Sequence, residues 1–180
     1  MPDILETVAV CVINGYAVGP KETYFDGTSV MLDRVHEIAM EYVAGIGIRR
    51  KVFLIGKNRS DDPGGRPGMW DIPGGKINPG ETVYEAAVRE AMEETNLTTV
   101  VKECICISTR QRRLDADTIK VYCLHFINLE VLAGSEQAKA GSDLEEIRWV
   151  TGNTVRRFVT DDVIDTLPAE IYSFLQIRPE

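Results

Sequence analysis

The sequence predicts an α/β (α+β) fold in which helices cover both faces of a mixed β-sheet. Apolar, β-branched runs of strand length recur along the chain, segments with helical periodicity lie between them, and no internal repeat or low-complexity tract interrupts the pattern. Interleaved strands and helices are typical of a sheet covered on two sides. We interpret residues 1–180 as a single domain, since this length suffices to bury a core.

The N-terminal part of the chain predicts two buried strands with a helix between them. Residues 8–13 are a continuous apolar run, residues 51–56 read as a second strand, and Asn14-Gly15 predicts a turn after the first. Apolar residues recur at steps of three and four over residues 29–44, which predicts a helix. We therefore expect a helical insertion at residues 15–48.

The remainder of the chain alternates strands and helices. Residues 59–68 read as a loop, and the segment after them as a short extended piece. Strands are predicted at residues 100–107, 119–132 and 146–150, with an Arg-rich connection between the first two. Helices are predicted at residues 82–95, 161–167 and 169–177.

Composition excludes several classes of protein. The net charge of −8 at pH 7 repels nucleic-acid phosphates, so we expect no stable nucleic-acid binding. No apolar run reaches the roughly 18 residues of a membrane helix, and the N-terminus lacks the features of a signal peptide, so we expect no membrane association and a cytoplasmic location. The four cysteines lie in strand-like runs without zinc-binding spacing, which favours reduced, buried thiols.

The helix predicted at residues 82–95 carries an acidic face. Thr82 and Glu85 have the spacing of a capping box, which defines the start of the helix. At about 100° per residue, Glu90, Glu93 and Glu94 project within about 100° of one another. Their mutual repulsion would be offset by a hard divalent cation bound through oxygen, although a solvated charged face explains the helix alone equally well.

The residues around this helix favour a metal or phosphate site over a solvated face. Gly74 and Gly75 follow an extended segment, and paired glycines let backbone N–H groups approach an oxyanion closely. Arg89 lies four residues before Glu93, at the spacing that pairs side chains along a helix. Asn96 follows the helix and is one of the few residues besides glycine that adopts a left-handed cap.

Residues 75–97 resemble the Nudix box, G-x5-E-x7-R-E-U-x-E-E-x-G-U with U aliphatic. Asn96 stands where the family has glycine, and six fixed positions match: Gly75, Glu81, Arg89, Glu90, Glu93 and Glu94. Since each residue type makes up roughly one residue in fifteen, these matches would arise by chance about once in 10⁷ starting points. The resemblance extends to about residues 6–14 and 49–177 and implies a Nudix-type sheet sandwiched between helices.

The resemblance also implies an activity, a cofactor and a set of site residues. It implies a hydrolase that cleaves the diphosphate linkage of a nucleoside diphosphate derivative with Mg²⁺, for which Mn²⁺ would substitute. The implied general base is Glu93 or a carboxylate outside the box, for which Glu145 or Glu146 is the candidate; an ordinary acidic strand entry explains the latter two equally well. Arg89 would orient a glutamate, and the implied metal ligands are Glu90, Glu94, Glu93, Glu81 and the backbone of Gly75.

Three further side chains are candidates for substrate binding. Arg110 and Arg112 would clamp a diphosphate and Trp70 would stack on a base, whereas a solvated hairpin tip and a core anchor are the alternatives. In the family, the two N-terminal strands usually follow one another closely. We therefore expect the insertion at residues 15–48 to shape the substrate pocket or a homodimer interface.

The favoured substrate is a nucleoside triphosphate, cleaved to the monophosphate and pyrophosphate. Some members that act on ADP-ribose or diadenosine polyphosphates carry Pro or Tyr about 15–17 residues after the box, where this chain has Arg112, Arg113 and Leu114. ADP-ribose, other NDP-sugars and dinucleoside polyphosphates remain alternatives. A non-catalytic nucleotide-sensing domain is the alternative of another class, but such domains typically lose box carboxylates that this chain keeps.

Overall fold

The computed structural model describes residues 4–19, 32–33, 42–43, 47–61, 66–132, 137–141 and 143–178. Within these ranges the strands are β1 (Ile4–Gly19), β2 (Leu32–Asp33), β3 (Tyr42–Val43), β4 (Gly47–Asn58), β5 (Trp70–Asp71), β6 (Gly74–Lys76), β7 (Thr99–Arg113), β8 (Ile119–Val131) and β9 (Leu144–Val150). The helices are α1 (Val83–Thr95), α2 (Asp161–Ile164) and α3 (Ala169–Leu175), with a 3₁₀ turn at Val155–Arg157. None of the helices in these ranges is long and apolar enough to cross a membrane.

The strands form one mixed sheet whose main path runs β3-β4-β1-β8-β7. β1 and β8 are parallel, and the other pairs are antiparallel. β4 pairs with the second half of β1, from Asn14 onward, while the short β6 pairs with Val8–Val10 of the first half. β4 then continues away from β1 and pairs with β5 and β9. Two branches of the sheet therefore lie next to β1: one consists of β4 with β5 and β9, and the other is the short β6. The chain continues from β6 into α1.

Helices cover both faces of the sheet, which confirms the predicted fold class. α1 packs on one face through Ala86, Ala87 and Ala91, whose small side chains let the helix approach β1 closely. The Cys11 thiol donates to the Ala87 carbonyl at 3.2 Å. α2 and α3 cover the opposite face, where their buried residues pack with those of the strands: Val12, Phe53, Ile55, Phe126, Ile164, Ile171 and Leu175.

α1 begins and ends as the sequence predicts. The Thr82 hydroxyl accepts the Glu85 N–H at 3.2 Å and the Glu85 carboxylate accepts the Thr82 N–H at 2.8 Å, which completes the capping box. Asn96 adopts the left-handed conformation with φ of 57°, and its N–H donates to the Met92 carbonyl. These local bonds set both ends of the helix that carries the acidic face.

Two predictions for the N-terminal region are wrong where the structure describes it. Asn14 and Gly15 form no turn, because β1 continues to Gly19 and pairs with β4. The predicted helix at residues 29–44 is wrong at Leu32–Asp33 and Tyr42–Val43, which pair as strands with β1 and β4; its other residues lie outside the described ranges. Pairing with adjacent strands outweighs the local helical preference at these positions.

β7 corrects one further expectation and contains a bulge. It extends to Arg113, so Arg110 and Arg112 lie in a strand rather than in a connection. The register between β7 and β8 also shifts between Cys104 and Cys106. Because a bulge of this kind inserts one extra residue, Cys104 packs on the α1 side of the sheet and Cys106 on the opposite side. In a regular strand, a spacing of two residues would place both thiols on one face.

Candidate active site

The acidic face of α1 is partly buried. Glu90 and Glu94 are only 8% and 7% exposed, whereas the side chain of Glu93 is 53% exposed. Burying a carboxylate is costly unless hydrogen bonds or a cation compensate it. The hydrogen bonds and nearby charges of these three side chains therefore determine whether the face can bind a cation.

Arg89 connects three of the carboxylates. Its Nε and one terminal nitrogen donate to the two oxygens of Glu81 at 2.8 and 2.9 Å. The other terminal nitrogen donates to Glu90 at 2.7 Å and to Glu93 at 3.0 Å. A further bond, to the Lys76 carbonyl at 2.9 Å, ties the guanidinium to β6. Arg89 therefore positions the acidic face relative to the sheet through a planar, forked geometry that lysine lacks.

The two glycines of β6 permit the close approach of α1 and β1. The Gly74 N–H donates to Glu94 at 2.8 Å. A β-carbon at Gly74 would lie 2.4 Å from the Ala9 carbonyl oxygen, and one at Gly75 would lie 2.2 Å from the Glu90 carboxylate. Any larger residue would therefore displace either the strand backbone or the carboxylate.

Burial makes the acidic face electrostatically unfavourable. It raises the pKa of Glu94 to about 8, even though the Gly74 N–H opposes the shift. Burial also raises the pKa of Glu90, against the opposing effect of Arg89. Glu81 differs, because its hydrogen bonds to Arg89 lower its pKa to about 2. A bound cation would favour the ionised forms of Glu90 and Glu94 and so relieve this cost.

No three His, Cys, Asp or Glu side chains within the described part of the chain already converge as a metal cage. The hydrogen bonds explain this, because Arg89 holds Glu90 and Glu93 while the Gly74 N–H holds Glu94. The donors are nevertheless all carboxylate oxygens, and Glu90 and Glu94 lie against the same β6 segment. This donor set suits a hard cation such as Mg²⁺.

A cleft approaches β6 from the α2 and α3 side of the sheet. Its wide part has a volume of about 730 Å³, and residues on its wall include Arg66, Asp71, Arg110, Arg112 and Tyr122. A smaller pocket of about 160 Å³ continues inward to Gly74, and it shares Asp71 and Arg110 with the wide part. The cleft thus connects cationic side chains to the glycine whose N–H bonds Glu94.

The match to a family model decides the identity of the chain. The model of the NUDIX domain matches residues 42–167, which is most of the chain. The chain belongs to the Nudix family. It is a Nudix hydrolase, an enzyme of the pyrophosphohydrolase class that acts on nucleotide derivatives.

Several known proteins are similar to this Nudix hydrolase. It is 30% identical over 118 residues to a putative 8-oxo-dGTP diphosphatase of Bacillus subtilis (strain 168), covering 66% of this chain and 69% of that protein. It is 34% identical over 112 residues to an ADP-ribose pyrophosphatase of Methanocaldococcus jannaschii, covering 62% and 60%. The crystal structure of a MutT protein from Methanosarcina mazei Go1 superposes with a TM-score of 0.57 at 19% identity, covering 98% and 94%, and supports the fold.

The predicted substrate-binding residues of this Nudix hydrolase lie on one side of its sheet. Arg110 is half-buried in the cleft wall and donates to the Thr166 carbonyl at 3.2 Å, and Arg112 is exposed on the same wall. Trp70 is half-buried and packs edge-on against Phe158, with ring centroids 5.5 Å apart. The two arginines therefore face the cleft, whereas Trp70 contributes to core packing.

The predicted carboxylates of β9 form ion pairs with neighbouring basic side chains. Glu146 forms an ion pair with Arg148. Its neighbours Ile147 and Trp149 pack on the α1 side of the sheet, so Glu146 points to the opposite side. Glu145 pairs with Lys57 at 2.5 Å. In the part of the chain that the structure describes, neither carboxylate shares a hydrogen bond or an ion pair with Arg89 or with the glutamates of α1.

Two acidic residues that the sequence analysis did not select lie near the box. Asp71 lines the cleft at its junction with the inner pocket. The negative charge of Asp143 contributes to the raised pKa of both Glu90 and Glu94. Asp143 follows a segment that wraps the end of α1, where the Gly141 N–H donates to the Glu94 carbonyl at 2.7 Å. No local pattern marks either residue, since both reach the site through contacts between distant segments.

Proposed function

We propose that this Nudix hydrolase cleaves a nucleoside triphosphate, or a similar nucleotide, to the monophosphate and pyrophosphate with Mg²⁺. The observation that supports this is the junction at Gly74, where a cleft with cationic walls meets the buried carboxylate of Glu94. Arg110 and Arg112 supply positive charge for a phosphate chain in a protein whose net charge is −8.

The relatives support a nucleotide substrate without separating the candidates. The names of two groups of relatives, the putative 8-oxo-dGTP diphosphatase and the nucleoside triphosphatase NudI, indicate nucleoside triphosphates. The name of the Methanocaldococcus jannaschii protein indicates ADP-ribose instead. We favour the triphosphate because the positions after the box carry Arg112, Arg113 and Leu114 rather than the Pro or Tyr of some ADP-ribose and diadenosine-polyphosphate members.

The residues of the acidic face fit the proposed cofactor. Glu90, Glu94 and Glu93 would hold Mg²⁺, or Mn²⁺ in its place, with Glu81 as a further ligand through water and Gly75 contributing backbone. Once bound, the cation supplies electrostatic stabilisation of the charge that develops on the phosphoryl oxygens. Arg89 would keep Glu90 and Glu93 oriented for this role, because it already bonds both.

In the proposed reaction, water attacks a phosphorus atom and the P–O–P bridge breaks. Glu93 is the favoured base, because its carboxylate is exposed enough to reach a water molecule while Arg89 keeps it on the acidic face. Glu146 remains the predicted candidate outside the box. Asp143 is better placed than Glu146, since its charge acts on Glu90 and Glu94. The base would take the proton of the water, and pyrophosphate would depart as the leaving group.

A hydrolysis screen tests the proposal. The protein is assayed with Mg²⁺ or Mn²⁺ against ribonucleoside and deoxyribonucleoside triphosphates, ADP-ribose, NDP-sugars and diadenosine polyphosphates. We expect turnover of triphosphates that requires the metal and falls by roughly 10²- to 10⁴-fold in Glu93→Gln. Glu170→Gln, at an exposed position of α3 away from the cleft, is the matched control and should retain full activity. Nucleotide binding without turnover would support the sensing alternative instead.

A further inference from the structure

Asp71 and Arg110 line both parts of the cleft. Both line the wide part, and both line the inner pocket that reaches Gly74, together with the apolar Val8 and Leu124. A ligand that extends from Gly74 into the wide part therefore passes along a wall that includes Asp71 and Arg110. Both side chains lie in the part of the chain that the structure describes, and they form no ion pair with each other: Asp71 pairs with Arg66, and Arg110 donates to the Thr166 carbonyl.

Asp71 presents an oriented carboxylate on this wall. One of its oxygens accepts from Arg66 at 2.9 Å, and the other accepts from the Ile72 N–H at 2.8 Å. An ionised carboxylate offers about four acceptor positions, so about two remain for a ligand. The side chain is 32% exposed, which leaves it accessible from the cleft. Because it is an acceptor with negative charge, it is suited to a group that donates hydrogen bonds rather than to phosphate.

Arg110 presents the complementary chemistry. Its guanidinium donates to the Thr166 carbonyl at 3.2 Å, and its Nε is buried without a hydrogen-bond partner. Burial lowers the pKa of Arg110, while the nearby charge of Asp71 opposes this. A guanidinium held in this way suits a phosphate oxygen of the ligand.

We propose that Asp71 binds the 2′- and 3′-hydroxyls of the substrate ribose, so that the enzyme prefers ribonucleotides to 2′-deoxyribonucleotides. This rests on the proposed function, in which the bond that breaks lies next to the acidic face, at the Gly74 end of the cleft. The sugar follows the phosphates along a nucleotide, so it is the part that reaches this wall next. Two adjacent hydroxyls are paired donors that match the remaining acceptor positions of Asp71, and Arg110 contacts the phosphate attached to the same sugar.

A binding experiment tests this role without hydrolysis. Isothermal titration calorimetry is used to compare AMP, 2′-deoxy-AMP and 3′-deoxy-AMP. We expect AMP to bind at least about tenfold more tightly than either deoxy form, as loss of a hydrogen bond to a charged group predicts. In Asp71→Asn this ratio should fall below about threefold, because AMP loses more affinity than either deoxy form, each of which has only one of the two hydroxyls to lose. Equal affinities in the wild type, or no binding of any of the three, would overturn the assignment.

A matched variant separates recognition from a structural role. Asp61 forms a comparable pair with Arg59 at 2.9 Å but is exposed and outside the cleft, so Asp61→Asn should leave the ratio unchanged. If Asp71→Asn weakens AMP and 2′-deoxy-AMP equally, or unfolds the protein, Asp71 acts by holding Arg66 and the inference is wrong. Repeating the experiment with GMP and 2′-deoxy-GMP should give the same ratio, since Asp71 is proposed to contact the sugar and not the base.

Hydrolysis data distinguish this inference from the proposed function. If ribo- and deoxyribonucleoside triphosphates are cleaved with equal kcat/KM, the assignment of Asp71 fails and the proposed function stands. If no triphosphate is cleaved, the proposed function fails, and the AMP binding ratio still reports on Asp71.

Discussion

The two ends of the candidate site carry opposite charge and are built in different ways. At the α1 end, three glutamates lie within five consecutive residues and two of them are almost fully buried. At the cleft end, Arg110, Arg112 and Asp71 come from two separate strands and remain half-buried or exposed. Carboxylates at one end suit a cation, whereas guanidinium groups at the other suit phosphate.

This difference assigns separate tasks to the two ends. Under the proposed function, changes at the α1 end should affect the chemical step, because they alter the residues proposed to hold the metal and to act as the base. Changes at the rim of the cleft should affect substrate capture, because those groups contact the ground state and the transition state alike. Measuring whether a substitution changes kcat or KM therefore tests whether the two ends have these separate roles.

The largest effect is expected at Glu94. Glu94→Gln keeps an oxygen that accepts the Gly74 N–H but removes the negative charge, so kcat/KM should fall by about 10³-fold or more, mostly in kcat. Steady-state kinetics measure this, and calorimetric titration with Mg²⁺ should show weakened metal binding. A variant that raises only KM would contradict the division of tasks between the two ends.

The buried carboxylate of Glu94 should also make the metal-free protein less stable at higher pH. Its pKa is about 8 in the folded state, above the ordinary value of 4.5. At a pH between these two values, the folded state therefore binds one more proton than the unfolded state. The free energy of unfolding should therefore fall as pH rises from about 5 to 8, by a few kcal/mol at about 1.4 kcal/mol per pKa unit. Glu81, whose pKa is lowered to about 2, adds stability above pH 4.5 that is lost only as the pH falls toward 2.

Urea unfolding in EDTA at pH 5.5 and pH 8 measures this dependence. Glu94→Gln should remove most of the decline, and saturating Mg²⁺ at pH 8 should restore stability to the wild type but not to the variant. A wild-type protein that is equally stable at both pH values would show that the α1 end carries no such electrostatic cost.

The smallest effect is expected at the rim of the cleft. Arg112 is exposed, so Arg112→Met should raise KM for a triphosphate by about three- to tenfold, with kcat within about twofold, and the difference should shrink at high salt. Arg113→Met is the matched control, since Arg113 donates to the Ala116 carbonyl at the tip of the hairpin. Equal effects of the two substitutions would mean that general surface charge, and not a contact in the cleft, attracts the substrate.

The sequence alone determined α1, its two ends and the residues of its acidic face. The capping box, the left-handed Asn96 and the alignment of Glu90, Glu93 and Glu94 were all predicted and are present in the structure. Helix geometry explains this success, because hydrogen bonds and side-chain neighbours in a helix lie three or four residues apart. Such relations are visible in any short window of sequence.

Only the tertiary structure decided the cleft and the faces of the strands. Asp71 and Arg110 lie 39 positions apart and meet only because β5 and β7 belong to one sheet. The bulge before Cys106 reverses which side of the sheet the following residues face, and β1 extends through Asn14 because β4 pairs with it. Strand register and pairing depend on partners distant in the sequence, which periodicity within one segment does not specify.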